Sequence, residues 1–220
     1  MPAMSFSTFD PARRADAVVH ALGVGLGAIG ATVLLVAAAR TGVTGQFVPV
    51  LVYIVGLIAM LGFSAAYNLR QAGSASRDDP CRDWLRRFDH AAIFVMIAGT
   101  YTPLVLLRLP EPWASGLTVA IWTAAVLGIA AKLLRPRGIE TVSVVLYLLM
   151  GWIGLVAIDP LLASVERGAL ILVLVGGLVY SGGVVFHLSS RMRYQRALWH
   201  ASVLIAASIH YVAILSLVVA

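Results

Sequence analysis

Seven long apolar segments, separated by short polar connectors, divide the chain from one end to the other. A helix needs roughly 20 apolar residues to cross a hydrocarbon layer about 30 Å thick, and each segment comes close to that length. We therefore predict seven transmembrane helices in a single membrane domain, residues 1–220. The predicted spans are 17–39, 47–68, 88–107, 113–134, 141–158, 168–188 and 197–219.

The connectors between the predicted spans contain Gly or Pro, which favour turns between neighbouring antiparallel helices. Examples are Thr41-Gly42, Leu109 to Pro112, Arg135 to Gly138 and Asp159-Pro160. The longest connector, residues 69–87, is polar but too short to form a domain of its own. The predicted fold is therefore an all-α bundle of seven transmembrane helices.

Lys and Arg fall mainly on alternate connectors, and this asymmetry predicts the orientation of the chain in the membrane. Thirteen lie on the side of the N-terminus: Arg13, Arg14, Arg70, Arg77, Arg82, Arg86, Arg87, Lys132, Arg135, Arg137, Arg191, Arg193 and Arg196. Three lie on the other side: Arg40, Arg108 and Arg167. Because cytoplasmic loops contain the excess of basic residues, we predict a cytosolic N-terminus and, after an odd number of spans, a C-terminus outside.

The composition agrees with a membrane protein and disfavours several other classes. Of the 220 residues, 60% are hydrophobic and 12% are charged, which is far from the usage of soluble globular proteins. The basic residues sit in short connectors and form no continuous face, so nucleic-acid binding is not expected. The single cysteine, Cys81, allows neither an internal disulfide nor a cysteine-based zinc motif. The expected partners are membrane lipids, and the sequence leaves the oligomeric state open.

Polar residues collect at the ends of the predicted spans that face the cytosol. Ionisable side chains in apolar spans are costly and mark candidate functional sites. The predicted polar cluster contains His20, Ser64, Asn68, Asp89, His90, Arg196 and His200. Ser64 and Asn68 lie four residues apart, as do Arg196 and His200, so the members of each pair share one helix face.

We expect these two pairs to converge with Asp89 in one cluster. The alternative is that each side chain simply reaches the water at the headgroups. His210 lies deeper in the last span, and we predict that it forms an interhelical hydrogen bond rather than taking part in chemistry.

The most distinctive run in the chain is FDHAAIFVMIAGTYTP, residues 88–103. It closely resembles the third-helix signature of the hemolysin III family, which groups with the adiponectin and progestin receptors. Other matching elements follow in the family's order: His20 with Gly23, Ser64 to Asn68, Gly151-Trp152, Gly176-Gly177 with Tyr180 and Gly183, and Leu198-Trp199-His200 with His210. The resemblance covers nearly the whole chain and implies the same seven-helix fold.

The resemblance also implies a zinc site. In the family, the second helix contributes Ser-x-x-x-His and the last helix His-x-x-x-His, and the three histidines are taken to bind zinc, with the serine and the third-helix aspartate beside it. Three imidazoles and one open position make a zinc-bound water acidic enough to attack a carbonyl.

This chain departs from that pattern at two of the three ligand positions. Asn68 and Arg196 replace two of the histidines, and only His200 remains. An amide is a poor zinc ligand, and a guanidinium is permanently cationic and only donates. We therefore expect no family-type zinc site and no cofactor; zinc would be the cofactor if this interpretation is wrong. As a substitute, Arg196 is predicted to pair with Asp89, unless it extends to the cytosol as a topology residue.

Three classes of function remain open. The first is a hemolysin III-like protein of a bacterial inner membrane with a degenerate zinc site and a non-catalytic sensing, scaffold or lipid-binding role, with a lipid-like ligand. The second is a metal-dependent hydrolase of lipid amides or esters at the cytosolic face, with Ser64, Asp89 and His200 as candidate catalytic residues. The third is a channel or cytolytic pore, which ranks lowest because no polar stripe runs from one face to the other.

Overall fold

The computed structural model describes residues 10–73, 79–135, 138–189 and 191–220. Within these ranges the regular structure is helical. The elements are α1 (Pro11–Thr41), α2 (Phe47–Gly73), α3 (Pro80–Arg108), α4 (Trp113–Leu134), α5 (Glu140–Gly151), a 3-10 helix (Ile153–Ala157), α6 (Ile158–Ser164), α7 (Arg167–Leu188) and α8 (Gln195–Val219). Arg77, Pro136 and Arg137, which belong to the predicted connectors, lie outside the described residues.

Seven segments of the described chain are long and apolar enough to cross a membrane, which confirms the predicted number of spans. Two helices begin well before the predicted spans, α1 at Pro11 and α3 at Pro80. The side chains of Asp10 and Asp79 accept hydrogen bonds from backbone N–H groups of these first turns. Aspartate caps followed by proline at the first helical position explain why the helices extend into the polar flanks.

The predicted turn at Asp159-Pro160 was wrong, because the fifth span continues through it from Glu140 to Ser164. This span is a broken helix: α5 ends at Gly151, the 3-10 helix follows, and α6 completes the crossing. Pro160 lies in the first turn of α6, where a missing N–H breaks no helical hydrogen bond.

One side chain from α3 satisfies the backbone groups that the break sets free. The hydroxyl of Tyr101 donates to the carbonyl of Gly151 at 2.7 Å and accepts from the N–H of Gly154 at 3.0 Å. In hydrocarbon no water is available to these groups, so a broken helix depends on such partners. Trp152, at the break, donates its indole N–H to the hydroxyl of Ser181 in α7 at 3.1 Å. The fifth span is therefore fixed to both α3 and α7.

Of the seven spans, α3 is the most deeply buried. Glycines let its backbone approach that of α2: a Cβ at Gly56 would lie 3.1 Å from the carbonyl oxygen of Val95, and one at Gly99 would lie 3.2 Å from that of Val52. Small residues at such crossings allow the close backbone packing that joins helices in lipid. The second and third spans thus form the closely packed centre against which the other helices lie.

The two ends of the bundle differ in charge. We call one the arginine-rich end; its described basic residues are Arg13, Arg14, Arg70, Arg82, Arg86, Arg87, Lys132, Arg135, Arg191, Arg193 and Arg196. At this end Arg87 of α3 donates to the carbonyl of Leu133 in α4 at 2.8 Å. At the opposite end Arg108 of α3 donates to the carbonyl of Leu217 in α8 at 2.5 Å. The basic residues of the described chain are therefore concentrated at one end of the bundle. That this arginine-rich end faces the cytosol remains a prediction.

We predict that Tyr101→Phe destabilises the fold by about 1–3 kcal/mol, because the carbonyl of Gly151 and the N–H of Gly154 lose their partner in a region without water. The matched control is Tyr53→Phe, since the hydroxyl of Tyr53 is fully buried without a hydrogen-bond partner among the described residues. Thermal unfolding in detergent compares the two variants. Equal melting temperatures for both would show that the bridge contributes nothing.

Candidate functional site

A cavity of about 740 Å³ lies between the helices, and residues from all seven spans line it. Its walls are mostly apolar along the bundle, as at Met96, Leu104 and Val173. Most of its ionisable lining residues gather at the arginine-rich end: His20, Asp89, His90, Lys132, Glu140, His187, Arg196 and His200. The cavity is therefore divided along its length into an apolar part and a polar end.

The structure brings all seven residues of the predicted polar cluster to the wall of this cavity. The side chain of Ser64 lies beside the carboxyl group of Asp89, as the convergence of α2 and α3 predicted. The spacing also predicted that the two members of each helical pair share one helix face. In agreement with this, Asn68 lines the cavity together with Ser64, and Arg196 lines it together with His200.

One short polar contact in the site involves Asp16, a residue that the sequence prediction did not include. The Nδ1 atom of His200 lies 2.6 Å from Oδ1 of Asp16, and Nε2 of His20 lies 3.7 Å from the same oxygen. The two imidazole rings are 4.3 Å apart between centroids. We call Asp16, His20 and His200 the α1–α8 cluster. Asp16 and His20 are 8% and 6% exposed, so the cluster is built inside the bundle.

Asp16 was missed because it precedes the first predicted span and was counted with the polar N-terminal flank. The signal that could have found it is its spacing, since Asp16 and His20 are four residues apart and share one face of α1. This is the same relation that singled out Ser64 with Asn68.

The predicted pair between Arg196 and Asp89 was wrong. Arg196 donates to the side-chain oxygen of Gln71 at 2.7 Å near the surface of the arginine-rich end. Asn68 donates its amide to the carbonyl of Ser64 at 2.9 Å, within its own helix. A guanidinium at the end of a span keeps its hydration by pointing outward. The position of Arg196 therefore agrees with the alternative given above, in which its side chain extends out of the membrane.

Two buried nitrogens in the site, Nζ of Lys132 and Nε2 of His20, have no hydrogen-bond partner among the residues that the structure describes. Lys132 is 1% exposed and lines the cavity beside His90. A buried polar group without a partner is costly. Both atoms are therefore candidates for contact with a bound molecule or ion.

His210, which also lines the cavity, has a structural partner in the neighbouring helix. Its Nε2 atom lies 3.0 Å from the carbonyl oxygen of Val173 in α7, which confirms the predicted interhelical hydrogen bond. A Cβ at Gly176 would overlap the ring of His210, so the glycine makes room for this contact.

These features define a seven-helix membrane protein with an internal cavity that is polar at one end. The model of the family "Haemolysin-III related" matches residues 14–211. The chain is 32% identical to "Hemolysin-3" of Bacillus cereus, over 86% of this chain and 84% of that protein. It is 31% identical to the "Hemolysin-3 homolog" of Bacillus subtilis (strain 168), over 86% of each.

A more distant similarity, 33% identity over 57% of this chain and 52% of the other, links it to the "Monocyte to macrophage differentiation factor" of Homo sapiens. The chain belongs to the haemolysin III-related family, as the resemblance of residues 88–103 indicated.

We predict that Asp16→Ala lowers the free energy of unfolding by about 1–3 kcal/mol, because it leaves the imidazole of His200 without its hydrogen-bond partner and removes the carboxylate beside His20. Arg196→Ala should change it by no more than about 0.5 kcal/mol, since Arg196 is exposed and its guanidinium is bonded to Gln71 near the surface. Thermal unfolding in detergent measures both. A larger effect of Arg196→Ala than of Asp16→Ala would contradict the assignment of the α1–α8 cluster.

Proposed function

We propose that this protein is a non-catalytic, lipid-binding member of the family that holds a single-chain lipid with an anionic headgroup in its internal cavity. The division of the cavity into apolar walls and one polar end supports this proposal most directly. Its volume of about 740 Å³ lies within the range of about 300–1,000 Å³ typical of small-molecule sites.

A side opening of the cavity gives a membrane lipid a route of entry. Leu155 and Leu162 of the fifth span line the cavity and are nevertheless 57% and 61% exposed. Across from them, Ile171 and Leu174 of α7 line it and are 59% and 49% exposed. Side chains with this much exposure on both walls indicate a gap between the two spans. Such a gap faces the hydrocarbon, so an acyl chain enters without crossing water.

The polar end offers partners for an anionic headgroup. The ammonium of Lys132 is buried in the wall and has no hydrogen-bond partner in the described part of the chain. A carboxylate or phosphate would give it a charge-assisted hydrogen bond, which is stronger than one between neutral groups. His90 and His187 line the cavity at the same end and add further donors.

A hydrolase that uses the family's own zinc site is disfavoured, because two of the family's ligand positions are occupied by groups that do not fit zinc. Asn68 donates its amide within α2, and Arg196 is a cation that points toward Gln71. The pore is disfavoured because the ionisable lining is concentrated at one end. The seven spans and the Bacillus relatives favour a bacterial inner membrane, and the basic excess favours a cytosolic arginine-rich end.

Narrowing the cavity should reduce lipid binding. We predict that Gly177→Leu lowers the amount of a fluorescent fatty acid bound in nanodiscs several-fold, because Gly177 lines the cavity and a Cβ there would meet only the Trp152 ring at 3.7 Å. Gly182→Leu is the matched control, since it lies in the same helix with nothing within 4 Å of its Cβ position. Equal binding by both variants and the unchanged protein would contradict a ligand in this cavity.

A second experiment tests the degenerate zinc site. We predict that Asn68→His with Arg196→His restores zinc binding at about one ion per chain, because the two imidazoles join His200 to complete the family's set. The substitutions are made in a chain that also contains Asp16→Asn and His20→Gln, so that other ligands near His200 are removed. Elemental analysis of the purified protein measures the zinc. No gain over that background would mean that the three positions do not converge.

A further inference from the structure

We propose that the α1–α8 cluster is a binding site for a divalent transition-metal ion, with zinc as the best-suited ion, at a position shifted from the family's site toward the first helix. One ligand atom from each of Asp16, His20 and His200 lies within 4.8 Å of the others. Neither Asn68 nor Arg196 is needed. The site shares only His200 with the ligand set that the family resemblance implies.

The donor set suits such an ion. A carboxylate with two imidazoles is a known ligand combination for zinc with one open position, and also for iron(II). With metal–ligand bonds of about 2.0 Å, two ligands of a tetrahedral zinc ion lie roughly 3.3 Å apart. The observed separations from Oδ1 of Asp16, 2.6 Å to His200 and 3.7 Å to His20, fall on either side of that value. The third separation, between the ligand nitrogens of His20 and His200, lies within 4.8 Å, so shifts of no more than about 1.5 Å suffice to admit the ion.

The helices hold the three side chains in place before any ion binds. Asp16 and His20 are one turn apart on α1, the spacing by which a helix presents two metal ligands on one face. His200 comes from α8, which packs against α1 and brings its ring within 4.3 Å of the ring of His20. Two ligands from one helix and a third from its neighbour fix the geometry without any loop.

His20 supplies an independent sign that something binds here. Its side chain is only 6% exposed, and its Nε2 atom neither accepts nor donates a hydrogen bond among the described residues. An imidazole nitrogen without a partner in an apolar bundle is costly. Coordination of a metal ion would use this lone pair, and the carboxylate of Asp16 would offset part of the ion's charge.

Arg196 opposes the ion and so gives the proposal a distinctive consequence. It lies one turn before His200 in α8, close enough for its charge to act on Asp16, yet its guanidinium points to Gln71. A permanent cation near a divalent ion weakens binding through repulsion. Replacing Arg196 should therefore tighten metal binding, whereas replacing a ligand should weaken it.

The open coordination position would face the cavity, because His20 and His200 both line it. An anionic headgroup could occupy that position. This last step rests on the proposed lipid-binding function, whereas metal binding by the cluster does not.

The test is a titration of the chelator-treated, detergent-purified full chain with Co²⁺, followed by absorption, and with Zn²⁺, followed by elemental analysis. We expect one ion per chain. Asp16→Asn and His20→Gln should each weaken binding at least about tenfold, and Arg196→Gln should strengthen it. Asp16→Glu, which keeps a carboxylate, should retain more binding than the isosteric Asp16→Asn.

His210→Gln and Asp159→Asn are the matched controls, because they remove an imidazole and a carboxylate that lie in the spans outside the cluster, His210 beside Val173 and Asp159 in α6. They should leave the affinity unchanged. The proposal is overturned if the unmodified chain binds neither ion, or if binding survives Asp16→Asn and His20→Gln but is lost in these controls. Fatty-acid binding by the chelator-treated protein is measured separately, so a failed metal site and a failed lipid site give different results.

Discussion

The structure depends on one constraint: a polar group that lies in hydrocarbon has to find its partner within the protein. Helices meet this demand for the backbone, and where the fifth span breaks, the hydroxyl of Tyr101 takes over for both free groups. The same demand places Asp16 between two imidazoles at the seam of α1 and α8. Glycines such as Gly56 and Gly99 allow the backbones of α2 and α3 to approach each other closely.

The cavity and its polar end follow from the same demand. Ionisable side chains are tolerable near the ends of the spans, so those that line the cavity gather mainly at the arginine-rich end, while the remaining wall is apolar. Side chains of the fifth span and of α7 that line the cavity are also exposed, so the cavity is accessible from the side between these two spans. An interior of this kind matches an amphiphile in both chemistry and direction, with the headgroup at the polar end and the chain toward the gap.

Hydropathy and spacing predicted the number of spans and the gathering of seven polar side chains, because both patterns are local to one helix. The break at Gly151 was not predictable in this way, since it requires the hydroxyl of Tyr101 from another helix. Pro160 was misinterpreted as a turn residue because proline marks equally well the first turn of a new helix. The partners of Asp16 and Arg196 depend on how helices rotate against each other, which a single sequence does not specify.

Two of the family's zinc ligands are replaced in this chain, at positions 68 and 196. An ion bound through Asp16 and His20 would therefore lie between different helices. A set from positions 68, 196 and 200 would join the second span to the last, with three neutral imidazoles. Asp16 and His20 instead join the first span to the last and add one negative charge, which lowers the net charge of the centre. A less electrophilic ion polarises a bound water less strongly. For the same reason an ion in the α1–α8 cluster would attract an anionic headgroup less strongly than an ion held by three neutral imidazoles, which leaves the buried ammonium of Lys132 as the stronger partner for such a headgroup.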